Sequence, residues 1–289
     1  MKNVDFVIYG DTDSMFVNIG YFLNKNIGDD WKKLPEDKKI FYIRKVSSII
    51  SDYVNDRSYK EVQRKHYNCL EDDFRIKFKQ EIIARRALFV MKKKYSLWCI
   101  DEEGISTDKI KTTGLEIVRS ETPEAIKPIL TEIMEMILKG VSDDELSAKI
   151  SNYKKDLYSV RPEEIAVNIG VSHIEKFMNN GSPVKGTPWH VKGAMNYRTL
   201  IRKMNLQGKY RDIAEGSKVK VVYLKKNEYK FDSIAFYRWP EEFDNVLKID
   251  YDKMIEKHFI SKIQTILEPI NKQILLNHNN KQVLDALFQ

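Results

Sequence analysis

Two short apolar runs, residues 4–9 and 15–19, flank the polar string Gly10-Asp11-Thr12-Asp13-Ser14. Strand-like segments on either side of a tight polar turn predict a hairpin. In extended chain, residues two apart face the same side. Asp11 and Asp13 are therefore expected to point the same way at the hairpin tip. Neighbouring carboxylates repel and resist joint ionisation unless a cation offsets them. A hard divalent ion suits such a pair, and Mg²⁺ is usually held by one or two carboxylates plus substrate phosphates. A bare D-x-D is most often a solvated turn, but the full string Tyr9 to Ser14 between two strand-like runs favours the metal reading. A two-stranded hairpin alone is marginal, and the strand pattern begins within three residues of Met1. The sheet is expected to be completed by polypeptide from elsewhere.

At 289 residues with 42% hydrophobic side chains, the chain can bury a real core rather than stay disordered. Its net charge of +7 allows a polyanionic partner without requiring one. No apolar stretch approaches the roughly 18 residues of a membrane span, and no signal-peptide pattern opens the sequence; no membrane association is expected. Cys69 and Cys99 lack metal or redox spacing, which fits a reducing cytoplasm. His66 and Cys69 have no second ligand pair in reach, which argues against zinc.

Residues 24–33 read as a polar loop. Pro35-Glu36-Asp37 opens a long helix, with helical apolar spacing to about residue 67 and a break near 55–57. Residues 74–90 alternate apolar and basic side chains and predict a strand; 95–100 predict another, closed by a turn at 101–104. From about Thr112 helices dominate. One starts at Thr122-Pro123-Glu124 and ends at Gly140. A second, capped by Ser142, runs to about Tyr158, and a short piece starts at Arg161-Pro162. Residues 189–204 form another helix, 219–224 and 233–237 a strand pair, and 251–270 a last helix broken at Pro269. The class is α+β. The expected divisions are a sheet-rich part over 1–112, a mostly helical part over 113–280 and a tail over 281–289.

Three further segments carry chemistry. Lys92, Lys93 and Lys94 beside Tyr95, with Arg85 and Arg86 upstream, suit a duplex phosphate backbone, where contacts position without specifying sequence; taken alone they are more often a solvated loop. Glu81 interrupts an apolar and basic segment and is by default an ion-pair partner for Lys79 or Arg85. In the tail, Leu284, Leu287 and Phe288 come together on one helical turn and could fill a partner's groove.

Tyr9-Gly10-Asp11-Thr12-Asp13-Ser14 resembles motif C of the family B replicative DNA polymerases, nearest to the T-even-like branch of tailed phages. The resemblance implies that Asp13 binds both catalytic Mg²⁺ ions, with Asp11 a weaker supporting carboxylate. It implies that Tyr9 and Thr12 shape the turn and that Gly10 lets the backbone approach closely. Lys92-Lys93-Lys94-Tyr95 resembles the family's K-K-R-Y element along the minor groove of the new duplex. Lys94 stands where that pattern has Arg, so a planar fork becomes a point charge. Glu81 falls where the family has an auxiliary acid on the palm sheet, although Lys79 stands where relatives are often acidic. Residues 111–116 and 120–123 resemble the palm-to-thumb junction. Residues 186–193 with Tyr197 resemble a thumb element holding the duplex, in which His190 and Lys192 match basic positions; Arg198, Arg202 and Lys203 extend the positive face. Trp189 is expected in the core. The tail resembles a sliding-clamp-binding peptide.

The resemblance thus implies a partial palm followed by a thumb. The family's motif A (an Asp followed by S-L-Y-P-S), its fingers helix and its exonuclease carboxylates do not occur in the 289 residues. Two-metal nucleotidyl transfer needs carboxylates from two motifs. The expectation is a C-terminal polymerase subunit or fragment, inactive alone, whose partners are an N-terminal polypeptide, primer-template DNA, dNTP and a clamp in the host cytoplasm. A competing reading is a non-catalytic DNA-binding or clamp-tethering module with a vestigial motif C; the intact Asp11 and Asp13 argue against it.

Overall fold

In the computed structural model, which describes residues 6–70, 75–115, 117, 119–179 and 182–272, the polar string joins two antiparallel strands. β1 (Val7–Asp11) and β2 (Ser14–Val17) form a two-stranded sheet of their own. The register pairs Tyr9 with Phe16, Gly10 with Met15 and Asp11 with Ser14, with an irregularity between Val7 and Tyr9. The segment expected as a polar loop is instead mostly helical. Asn18 Oδ1 accepts from the Tyr21 N–H at 3.0 Å and caps α1 (Ile19–Ile27). Ile19, Leu23 and Ile27 share one face, and Leu23 is buried.

The long helical pattern resolves into α2 (Glu36–Tyr53), a π-helical stretch over Val54–Tyr59 and α3 (Lys60–Tyr67). The expected break near 55–57 thus appears as a widened helical turn. It has a partner: Asn55 exchanges two hydrogen bonds with the Phe78 backbone, Nδ2 to the carbonyl at 2.8 Å and Oδ1 from the N–H at 2.7 Å. Residues 75–80 are consequently not a strand. Alternation gave them two faces, but among the described residues no strand pairs with them, and Asn55 bonds the Phe78 backbone instead.

Regular pairing begins at β3 (Ile82–Met91), followed by β4 (Lys94–Glu102) and β5 (Ile105–Thr113), in the sheet order β3-β4-β5. β5 was not foreseen, because its alternation is mostly polar. The connections Lys92-Lys93 and Glu103-Gly104 are two-residue turns; Lys93 and Glu103 each adopt positive φ.

The chain divides into two compact units. The first comprises 1–87 and 97–111, the second 88–96 and 112–289. In the first unit, buried Asp101 anchors the sheet to helix α2. It pairs with Arg44 and accepts from Gln80 Nε2 at 2.9 Å and the Gly104 N–H at 3.1 Å. Arg85 donates to Glu36 at 2.7 Å and lies 4.3 Å from the Trp98 ring centre.

The second unit holds the larger core. A turn at 122–125 precedes α4 (Ile126–Lys139), which therefore starts later than Thr122-Pro123 suggested. Ile126, Leu130, Ile133 and Met134 are fully buried, each contributing about 1.5–3 kcal/mol. Ser142 caps α5 (Asp143–Asp156) by accepting from the Glu145 N–H at 3.3 Å. α6 (Pro162–Ile165) leads into β6 (Val167–Gly170). β6 joins the expected pair, β9 (Lys218–Tyr223) and β10 (Ser233–Phe236), as a third antiparallel strand in the order β10-β9-β6. Between them lie the short pair β7 (Met178–Asn179) and β8 (Ser182–Pro183), then α7 (Trp189–Lys203). α7 lies on β10: Asn196 donates to the Ser233 carbonyl at 2.8 Å, and the Ser233 hydroxyl to the Trp189 carbonyl at 2.7 Å. The last helical run is α8 (Tyr251–Ile255), a π segment over Glu256–Ile260, α9 (Ser261–Leu267) and a 3-10 turn.

Candidate functional site

The hairpin tip is built by its own side chains. Tyr9 and Phe16 pack across the strands with ring centres 5.9 Å apart. Thr12 takes φ 50°, and the Ser14 hydroxyl donates to the Asp11 carbonyl at 3.2 Å, closing the turn. Thr12 Oγ1 donates to Asp11 Oδ1 at 3.3 Å. Asp11 is half-buried at the end of β1, whereas Asp13 is exposed as the second turn residue. The extended-chain argument for a common direction therefore does not hold, since the chain reverses between the two. A single turn holds both carboxylates instead. A Cβ on Gly10 would meet only the Ser14 carbonyl, at 3.6 Å, so the hairpin itself does not demand glycine.

Two carboxylate groups and no soft ligand fit a hard divalent cation. Among the described residues, no three His, Cys, Asp or Glu side chains converge in a way that could hold a metal ion. Asp11 and Asp13 are thus two candidate oxygen ligands for such an ion. Glu81 does not make a third with Asp11 and Asp13. It is exposed just before β3 and lines an open groove of about 430 Å³ with Glu102, Glu103, Lys109 and Lys111. The ion pairs expected for it belong to others: Lys79 pairs with Glu103 at 2.7 Å, and Arg85 with Glu36. Hydrogen bonds from Lys109 and Lys111 hold the Glu102 carboxyl below its usual range.

Lys92 and Lys93 form the β3–β4 turn and are exposed; Lys94 and Tyr95 open β4 half-buried. Tyr95 packs on Phe89 across the hairpin at 5.6 Å, and Ser96 shares a hydroxyl hydrogen bond of 2.8 Å with Thr112. The lysines thus stand on an ordered sheet end. Gly114, seen in the sequence only as part of a junction motif, lies directly against this turn; the strand it follows was not foreseen, so nothing in the sequence signalled the contact.

Trp189, expected in the core, is half-buried at the start of α7 and stacks on Tyr223 at 4.3 Å. Lys253 and Lys257 lie 4.2 and 5.0 Å from the Tyr223 ring centre, a cationic pair that sequence reading missed. His190 follows Trp189, and burial pushes its pKa down against the opposing charge of Glu121, so it is a neutral imidazole at pH 7. Lys192 reaches Asp232 at 3.4 Å. Arg198 is committed within the fold, donating to the Ile213 carbonyl at 3.0 and 2.5 Å and lying 3.3 Å from Asp212. Arg202 and Lys203 are exposed. Leu284, Leu287 and Phe288 lie outside the described residues.

Residues 57–270 match DNA polymerase family B, and the chain belongs to that family. It is 24% identical to the DNA-directed DNA polymerase of Enterobacteria phage T4 and 27% identical to that of Escherichia phage RB69, in each case over 98% of this chain and 32% of the relative. The DNA polymerase of Thermococcus gorgonarius is 28% identical over 96% of the chain and 30% of its own length. The chain therefore spans about a third of the curated relatives it matches. The family match begins after the hairpin, but these longer alignments cover nearly the whole chain.

Proposed function

We propose that this chain is the motif C and thumb portion of a DNA-directed DNA polymerase. It would work with an exonuclease, motif A and fingers portion supplied from outside this sequence. The observation that carries the reading is the Asp11–Asp13 hairpin, an incomplete hard-ion site in a chain of family B. Residues 1–112 are assigned to the palm and 113–280 to the thumb. Asp13, exposed at the tip, is the principal Mg²⁺ ligand, and Asp11 is the supporting one. With two Mg²⁺ ions bound between this chain and its complement, the site gains the positive charge that acidifies a primer 3′-hydroxyl and offsets charge on the transferring phosphate.

The chain's own residues mainly hold and orient. Asp11 keeps its place through Thr12, and the Ser14–Asp11 bond fixes the turn that presents Asp13. Lys92 and Lys93 offset duplex phosphate charge without reading sequence. His190, neutral by burial, serves as a hydrogen-bond donor or acceptor and not as a fixed charge. Lys192 and the first-turn amides of α7 add anion affinity. The tail carrying Leu284, Leu287 and Phe288 is assigned to a sliding clamp, and Glu81 to an auxiliary acidic role. The setting is the host cytoplasm; no helix among the described residues is long and apolar enough to cross a membrane. Mixing the chain with the complementing portion, primed template, Mg²⁺ and dNTPs tests the reading. Extension by the mixture and by neither part alone is expected. A complementing portion that extends primers equally well without this chain overturns it.

A further inference from the structure

Gly114 follows β5 with φ +64° and touches the turn that joins β3 to β4. A Cβ placed on it would lie 2.1 Å from the Lys93 carbonyl oxygen, 3.2 Å from the Lys93 carbonyl carbon and 3.4 Å from Lys94 Cγ. The first distance is far inside van der Waals contact, and the obstacle is backbone, which cannot rotate aside as a side-chain end could. Lys93 itself adopts φ 63°, a conformation that L side chains rarely take. The left-handed lysine and the left-handed glycine therefore rest against each other. The surroundings hold the contact in place. Leu115 is buried and its N–H donates to the Thr113 carbonyl at 2.8 Å. Ser96 and Thr112 bond across β4 and β5 a few residues along from it.

We propose that Gly114 is a positioning residue for duplex binding: its bare backbone supports the Lys92-Lys93 turn, and any larger residue displaces the two ammonium groups from the phosphates. The inference rests on the reading of that turn as a duplex contact.

The test uses the full chain and a fluorescently labelled primer-template duplex. Lys92→Ala/Lys93→Ala is expected to weaken binding about ten-fold and to lower the slope of log K against log salt by about two. Gly114→Ala should give a loss of the same order, and the loss should vanish when it is added to the double lysine variant. Hydrogen exchange at residues 91–95 should rise in Gly114→Ala while exchange along α4 and α7 stays unchanged. If Gly114→Ala does not fold, Lys93→Gly/Gly114→Ala, in which a glycine lets the turn backbone shift away from the new Cβ, is compared with Lys93→Gly alone; weaker duplex binding by the double variant, through a displaced Lys92, is then expected. Unchanged exchange and unchanged affinity in Gly114→Ala, or equal affinities in that second comparison, overturn the proposal. A double lysine variant that binds duplex normally overturns the duplex reading of the turn, while raised exchange in Gly114→Ala would still establish the support.

Discussion

Asp101 shows how one side chain can fix a local architecture. Its carboxylate is fully buried, and burial alone pushes its pKa up. The hydrogen bonds from Arg44, Gln80 and the Gly104 N–H outweigh that, and the group stays below its ordinary range. Its contribution is therefore present above the unfolded value of 3.8 and is lost as pH falls through the lower folded value. Asp101→Ala removes the acceptor of Gln80 and the charge partner of Arg44 and should destabilise the chain by about 2–4 kcal/mol in urea unfolding at pH 7. His258 has the same sense in a higher pH window. Burial first, then Lys262 and Lys257, lower its pKa from 6.5 to about 4. The unfolded chain takes up the proton earlier as pH falls, so stability is full above about 6.5 and declines towards 4. The decline attributable to His258 is on the order of 3 kcal/mol. His258→Phe should flatten thermal stability across that window.

The elements differ in how plainly the sequence announces them. Helical spacing over α2 to α3 was readable because its apolar residues recur every three or four positions, and Ser142 and Gly140 mark neighbouring helix ends. Residues 75–80 misled because alternation reports two faces but not a partner, and Asn55 occupied their backbone. α1 was missed because its polar letters hid the Ile19, Leu23, Ile27 face. The carboxylate pair was legible by residue type. Its geometry was not, because Thr12 reverses the chain between Asp11 and Asp13. α2 also shows a gap between pattern and burial. It has no fully buried residue, and Phe41, Ile49 and Tyr53 are 62%, 62% and 65% exposed on one side of the helix. Phe41→Ser should change unfolding free energy by less than about 0.5 kcal/mol, whereas Ile133→Ala in α4 should cost about 2–5 kcal/mol. Urea midpoints of the two variants provide the comparison.

At the scale of the whole molecule, the two units divide the proposed work. The first carries the carboxylates of the hairpin, and most of the net positive charge falls in the second, together with the lysine turn and α7. Metal binding and duplex holding should therefore be separable by mutation. The chain spans about a third of its phage relatives, so the chemistry has to be measured with the complementing portion present. Primer extension by the assembled polymerase, with Asp13→Ala set against the unmodified chain and duplex affinity measured alongside, tests the central claim. The expected result is an extension rate lower by about a thousand-fold, the equivalent of about 4 kcal/mol of lost transition-state stabilisation, with duplex affinity nearly unchanged. Extension by Asp13→Ala at the unmodified rate would contradict the assignment of Asp13 as a catalytic metal ligand.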